Sequence, residues 1–530
     1  GRFVIASDRA QSLLLSRLWS RHRYFLLGGA PCLRDGRPAS SPCDPLLLAA
    51  RGVRHDSRRR RLWCPGRGLV WSETIASAVG HAPFSPGWFQ MMAPHPTNRE
   101  VDTRPHVAVI AEAFPYPTHS GHRLRTTNLL VRLSDHFRIT LVAHCNEDQS
   151  EVEPAVEYFQ QRGIRCQVVQ RKPIVRRGIR YYANLLANLA SPLPYQACMH
   201  ATAEMRSAMQ RLAANDPVDL WQCELAPLAE LFRREKSKPW VMMGHNVETV
   251  IWQRLEETEA NPIKRWYIRR QRLKMDRFER WVFSAANQTI CVSHTDAALA
   301  QRMANNRCSV GVVENGVDTT AIRSNTEPRQ PATILFLGML GYRPNQDAVK
   351  SLLDTIFPTV RRAIPNAQLQ IVGSQPPAWM STRIAEVEGA VLHADVDSTL
   401  PYLQQSTVMA VPLRIGGGSR LKILEAAAAG LPCVSTRVGM EGLELIPDKH
   451  LLVVNSNDEL ASRLIQAIKQ PERMRSLATA AREVVVAKYD WDILAEKLGA
   501  AWSATIAEDA NSHDIRSSCA DPIPHASTAE

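Results

Sequence analysis

From residue 105 onward, short apolar runs alternate with stretches whose apolar positions recur every three or four residues. HVAVIAEA (106–113) is a short run with β-branched content, followed by a loop with two prolines and a glycine. RLRTTNLLVRLS then places Leu124, Leu129, Leu130 and Leu133 on one helical face. RITLVAH (138–144), IRCQVVQ (164–170), DLWQCEL (219–225), WVMMGHN (240–246) and TICVSH (289–294) read as further strands separated by helical stretches. A second series begins with SVGVVENG (309–316) and continues through ATILFLG (332–338), LQIVG (369–373), VLHADV (391–396), VMAVPL (408–413), PCVST (432–436) and LLVV (451–454). Helices are expected at about 346–356, 419–429, 457–468 and 471–487.

This alternation predicts an α/β chain of two Rossmann-like, doubly wound parallel-sheet domains facing across a cleft. Ligand is then expected at the carboxyl ends of the strands. The domains are expected at 105–308 and 309–485, with the polar linker NTEPRQP (325–331) near the boundary. A C-terminal helix over 486–502 should return toward the N-terminal domain, and 503–530 reads as a disordered polar tail. Neither unit carries the GxGxxG of a dinucleotide-dependent oxidoreductase, because a single glycine follows the first strand and MLGYRPN follows ATILFLG.

Charge alters the picture at one end only. The chain has 530 residues and a formal net charge of +12. Residues 1–90 hold 14 Arg, no Lys and five acids, so nine of those twelve charges lie there. That segment includes Arg58-Arg59-Arg60-Arg61 and shows no sustained period. Residues 1–104 are expected to be a disordered Arg-rich extension, with the working protein beginning near Met91 or Met92. A nucleic-acid-binding reading draws on this same segment and loses its basis without it. No window holds the 18 or so consecutive apolar residues of a membrane span, and no clean signal peptide is visible. Eleven cysteines without a CxxC pair argue against a disulfide scaffold or a zinc site and for a reducing, cytoplasmic setting.

The stretch VPLRIGGGSRLKILEAAAAGLPCVST (411–436) carries the most chemistry. Three glycines end a strand, and a helix starts near Ser419, a good N-cap. Glycines admit an anion to the backbone, and free amides at the helix start suit phosphate. Arg420 and Lys422 place two cations in that first turn, where they oppose the helix dipole unless an anion is bound. Glu425, one turn on, could accept hydrogen bonds from the paired hydroxyls of a ribose. The plainer alternative is a tight turn with surface cations and a solvated Glu.

With these residues in hand, the chain resembles a retaining, nucleotide-sugar-dependent glycosyltransferase of family four, with the GT-B fold. The resemblance rests on HSGHRLR (119–125), GHNVE (244–248), CVSHTD (291–296), VENGVD (313–318), FLGMLGYRPNQDAV (336–349) and the GGGSRLKILEA block. It covers about residues 105–502 and is nearest to the bacterial exopolysaccharide-associated sugar transferases. It implies a nucleoside-diphosphate-sugar donor held mainly by the C-terminal domain, a glycan or lipid-linked acceptor held by the N-terminal one, and no required metal or cofactor. It further implies catalytic roles for His245, Arg420 and Lys422. Donor contacts would come from Gly121, Arg125, Gly338, Arg343, Gly416, Gly417, Gly418, Ser419 and Glu425. Two departures stand out: Gly417 occupies the place of the family's first Glu, and Met339 that of its phosphate-binding Arg. Glu248 is a further carboxylate at a helix start.

Two alternatives stay open at this stage: a nucleotide-sugar epimerase on the same fold, and a non-catalytic sugar-nucleotide-binding protein. The basic, aromatic stretch 261–281 and the basic-then-apolar stretch 173–195 raise peripheral contact with an anionic membrane, against packing of their apolar positions into the core.

Overall fold

A helix-length segment separates almost every pair of successive strands, which permits parallel crossovers and rules out tight hairpins. A computed structural model describes residues 102–518 apart from 119, 146–148, 172–177, 236, 326 and 415–419. The expected extension, up to residue 101, and the last twelve residues of the expected tail lie outside the described residues.

The first sheet comprises β1 (His106–Ala111), β2 (Arg138–Cys145), β3 (Arg165–Gln170), β4 (Leu220–Cys223), β5 (Trp240–Gly244), β6 (Gln288–Cys291) and β7 (Ser309–Val312). Its order is β3-β2-β1-β4-β5-β6-β7, and every pairing is parallel. The second sheet comprises β8 (Thr333–Leu337), β9 (Gln368–Gly373), β10 (Ala390–Ala394), β11 (Val408–Val411), β12 (Cys433–Thr436) and β13 (Leu452–Val454). It is likewise parallel, ordered β10-β9-β8-β11-β12-β13. The architecture is the GT-B arrangement of two doubly wound domains. Strand order reverses between β1 and β4 and between β8 and β11, so each domain opens a crevice at the carboxyl end of its first strand.

Helices α1 (Gly121–Leu133), α2 (Ile179–Ala190), α3 (Glu248–Thr258), α4 (Pro262–Ala285) and α5 (His294–Met303) belong to the N-terminal half. Helices α6 (Arg343–Ser351) and α7 (Leu421–Ala428) belong to the C-terminal half, and α8 (Trp491–Ser518) ends the described chain. All six β1 residues are buried, as befits a central strand covered on both faces. Alternation sends Val107 and Val109 into the cluster with Leu129, Leu130 and Leu133 of α1, and Ala108 and Ile110 into the opposite layer with Trp221.

Three expectations need correction. SVGVVENG does not open the second domain: β7 pairs with β6 from Gln288↔Ser309 to Cys291↔Val312 and forms the edge of the first sheet. Helix α5 returns the chain beside β6, so the next strand adds there in parallel, and the boundary falls after Val312 rather than at 309. The C-terminal helix does not stop at 502, and 503–518 is helix rather than disordered tail. Trp502 is fully buried and its Nε1 donates to Gln222 Oε1 at 2.7 Å, while Thr505 Oγ1 donates to Gln288 Oε1 at 3.0 Å. These anchors on β4 and β6 hold the helix past the point where the apolar pattern fades. Finally, the single helix expected over 346–356 is α6 followed by a π turn at Leu352–Ile356 and a second helix, Phe357–Ala363. Pro358, which has no amide to donate, sits in the first turn of that second helix.

The chain crosses between the halves twice, and the crossings touch. Val317 N donates to Tyr489 O at 2.9 Å, and Val317 bridges Asp490. Gly316 lies where a Cβ would meet Leu494 Cδ1 at 2.5 Å and Tyr489 O at 2.7 Å, so only glycine lets the crossings stack. Among the described residues no helix is long and apolar enough to cross a membrane.

Candidate active site

The C-terminal crevice is built where β8 and β9 end and α7 begins. A Cβ at Gly373 would lie 1.8 Å from Gly338 O, so the two strand ends meet backbone to backbone. A Cβ at Gly338 would come within 2.9 Å of both Lys422 Nζ and Asn345 Nδ2, so its bare backbone makes room for these two side chains. Lys422 Nζ donates to Asn345 Oδ1 at 2.9 Å and stands 4.7 Å from the centre of the Phe336 ring. Asn345 in turn donates to Met339 O at 2.8 Å. Burial draws the Lys422 pKa down to about 7, with Glu425 opposing the fall and Arg420 adding to it. Glu425, one turn further along α7, is partly buried, and that burial raises its pKa against the pull of Lys422.

Arg420 stands at the cap position of α7, buried, with Nη2 3.5 Å from Glu441 Oε2. Burial lowers its pKa and Glu441 opposes the change. Gly338, Arg420, Lys422 and Glu425 therefore share one crevice. Arg343 is exposed at the first position of α6, and it is Asn345, two residues on, that holds Lys422. Gly416, Gly417, Gly418 and Ser419 lie outside the described residues.

The N-terminal crevice carries a polar network at the carboxyl ends of β1, β4 and β5. His245 Nε2 donates to Glu224 Oε2 at 3.0 Å, and Thr126 Oγ1 donates to the same oxygen at 2.7 Å. Burial pushes the Glu224 carboxyl up, but the hydrogen bond and charge of His245, then Thr126 and Arg125, outweigh it and hold the pKa at about 2. His122 stacks edge-on to His245 with ring centres 5.9 Å apart, and burial and the His245 charge lower its pKa to about 3. Gly121 opens α1 beside this network. The Ser120 hydroxyl pairs with His122 Nδ1 at 3.1 Å instead of capping the helix, so the first amides of α1 receive no side-chain cap from it.

Arg125 needs correction as a donor-binding residue. It is buried to 1% exposure, and its Nη2 donates to Val313 O at 2.7 Å, the residue just after β7. It pins the start of the interdomain crossing and lends charge to Glu224 from behind. Glu248 is also buried; burial and the neighbouring Glu279 carboxylate raise its pKa to about 8. Glu279 accepts from the amides of Glu248 and Thr249 at 2.7 and 2.9 Å, and so caps α3 from α4.

A cavity of about 130 Å³ lies between the halves, with Asn246, Val250, Arg254 and Asp296 on one side and Arg420 and Glu441 on the other. Sequence reasoning missed Glu224, Thr126 and Asn345. An acid closing the apolar run DLWQCEL was a signal for Glu224, but its partners lie 98 and 21 residues away. Among the described residues one trio of possible metal ligands, His294, Glu314 and Glu444, lies with ligand atoms within 4.8 Å of one another. Lys488 and Lys497 already pair with Glu444 and Glu314, which balances that charge.

Residues 153–321 match the family profile described as Glycosyltransferase Family 4, and residues 331–470 that described as Glycosyl transferases group 1. The chain carries the paired domains of a family-four glycosyltransferase. Over 207 residues the chain is 29% identical to the GDP-mannose-dependent alpha-(1-6)-phosphatidylinositol monomannoside mannosyltransferase of Mycobacterium tuberculosis, covering 34% of this chain and 53% of that protein. It is 24% identical over 253 residues to the glycogen synthase of the same organism, covering 46% of this chain and 60% of that protein. The chain thus spans little more than half the length of these curated relatives. Among solved structures, sucrose-phosphate synthase from Thermosynechococcus elongatus superposes with a TM-score of 0.58 at 17% identity, over 76% of this chain and 100% of that one. Anabaena HepE in complex with UDP and glucose superposes with a TM-score of 0.54 at 12% identity, over the same shares. At such identities these likenesses speak for the GT-B fold alone.

Proposed function

We propose that this protein transfers a sugar from a nucleoside-diphosphate sugar to an acceptor hydroxyl with retention of anomeric configuration. The observation that supports the reading is that Lys422 lies against the backbone at Gly338, at the same helix start as Arg420 and Glu425, while Arg420 lines an interdomain cavity whose other wall includes Asn246, the neighbour of His245. Lys422, drawn out of water beside a helix start, is costly as a cation, and a diphosphate would relieve that cost.

In the reaction the bond from the anomeric carbon to the diphosphate oxygen breaks, and a bond to the acceptor oxygen forms on the same face. The acceptor proton passes to the departing phosphate, so no separate protein base is needed. Arg420 and Lys422 stabilise the charge that grows on the leaving group. Glu425 is placed to accept from the ribose hydroxyls. His245, held by Glu224, faces the donor sugar. Closure of the two halves excludes water that would hydrolyse the donor. The mycobacterial mannosyltransferase is named for GDP-mannose and HepE is seen with UDP, so the panel of donors must include both bases. The acceptor is proposed to be a glycan or lipid-linked hydroxyl, in exopolysaccharide or other cell-surface glycan assembly. The setting is cytoplasmic, with peripheral contact at the inner face of the membrane.

A thermal-shift panel of UDP, GDP, ADP and their sugar conjugates on the full chain tests the donor site. A rise with one nucleotide that disappears in Arg420→Ala and Glu425→Ala is the expected result. No shift with any nucleotide at millimolar concentration overturns the reading.

A further inference from the structure

Nine large apolar side chains are conspicuously exposed among the described residues, and six of them sit on two helices packed against each other. On α2 these are Ile179, Tyr182 and Leu186, at 90%, 62% and 66% exposure. On α4 they are Ile263, Trp266 and Leu273, at 76%, 53% and 36%. Steps of three, four and seven residues put each set on one stripe of its helix. The other three, Val391, Ile446 and Val486, are scattered through the C-terminal half.

These stripes are not needed to hold the helices together. Their opposite sides do that: Gln271 Nε2 donates to Asn188 Oδ1 at 2.9 Å, Gln271 Oε1 accepts from Tyr195 N at 3.0 Å, and Lys274 reaches Asn188 O. Tyr181, Leu185 and Tyr195 form a small cluster of their own, with Tyr267 packed on it. The outer stripes are thus presented by a rigid pair.

Helix α4 carries eight basic residues against two acids, and one of those acids, Glu279, is buried. Arg270 and Arg277 are exposed and fall on the Trp266 stripe, at the same spacing as its apolar members. A second protein pressed on this stripe would bury those guanidiniums among apolar groups. A bilayer would not, because headgroup phosphates pair with arginine while Ile and Trp enter the acyl boundary.

We propose that the paired outer faces of α2 and α4 dock on an anionic lipid bilayer. The link to the active site runs through the segment that follows α2. His200 Nδ1 lies 3.4 Å from Glu112 Oε1, and His144 Nε2 lies 3.1 Å from Thr202 Oγ1, both at the carboxyl ends of β1 and β2. The docking face is thereby tied to the sheet edge that holds the N-terminal crevice. Its use in presenting a lipid-linked acceptor rests on the transferase reading; the docking itself does not.

The test is flotation of the full chain with vesicles of phosphatidylcholine alone and of equal parts phosphatidylcholine and phosphatidylglycerol. Wild type is expected to float with the anionic vesicles and not with the neutral ones. The exposed-site variants Ile179→Ser/Tyr182→Ser/Leu186→Ser and Ile263→Ser/Trp266→Ser should each lower the bound fraction about tenfold, as loss of inserted apolar area requires. Arg270→Glu/Arg277→Glu should do the same at low salt. Each variant should keep the nucleotide-induced thermal shift of wild type, which separates loss of docking from loss of the donor site. If wild type does not float with anionic vesicles, or if the apolar variants float equally well because the Arg-rich residues 1–90 carry the attraction, the proposal is overturned.

Discussion

Replacing Lys422 by Met probes the donor site through its least comfortable group. The ammonium is drawn from its ordinary 10.5 down to about 7 by burial. At about 1.4 kcal/mol per pH unit, that fall disfavours the charged form by about 5 kcal/mol. Residual solvent access trims the figure to about 2–3 kcal/mol. The unfolded chain keeps this proton up to about pH 10.5 while the ligand-free fold releases it above about pH 7. Stability without ligand should therefore rise with pH across that window. Lys422→Met removes the penalty at neutral pH, offset by about 1 kcal/mol for the donor lost to Asn345 Oδ1, and should raise the ligand-free Tm. A bound diphosphate reverses the balance by favouring the ammonium. At pH 8 the ligand-free lysine is about nine-tenths neutral, so nucleotide binding should take up close to one proton. Calorimetry in buffers of different ionisation enthalpy measures that uptake directly. Lys422→Met should bind the nucleotide at least about tenfold more weakly, as expected for a lost charge-assisted contact, and without the uptake. A variant that binds with unchanged affinity and the same proton uptake would refute the placement of the diphosphate beside Lys422.

Glu425→Gln should weaken binding of the nucleoside diphosphate about tenfold while leaving binding of inorganic pyrophosphate unchanged, read by competition calorimetry, because only the ribose contact is lost. Glu224→Gln should lower the transfer rate about tenfold or more with the nucleotide thermal shift intact, since the carboxylate acts by positioning His245. The same variant should flatten acid unfolding: the Glu224 carboxyl is held at about 2 against an ordinary 4.5, so it contributes about 3 kcal/mol that is present above pH 4.5 and lost as pH falls toward 2. Gly373→Ala should cost about 3 kcal/mol or more, read from denaturant midpoints, because its methyl would land 1.8 Å from Gly338 O and no side chain can yield there.

The sequence by itself determined the parts whose causes are local. Fully buried parallel strands read as continuous apolar runs and helices as periodic ones, so the order of elements and the two-sheet architecture were legible without coordinates. The closeness of Arg420, Lys422 and Glu425 was legible too, since they sit within the cap and first two turns of a single helix. Tertiary structure alone decided what depends on distant partners. Pairing with β6, not the apolar content of SVGV, assigns β7 to the first sheet. Contact with Val313, 188 residues away, turns Arg125 from a ligand contact into a pin for the crossing. Asn345 and Lys422 meet across 77 residues, and Glu224 finds Thr126 across 98. Helix α8 outlasts its own apolar pattern because Gln222 and Gln288 supply hydrogen bonds to it. Periodicity reports which face of an element is dry, but the partner that dries it, and the pKa that follows, is set by burial and contacts that no local window contains.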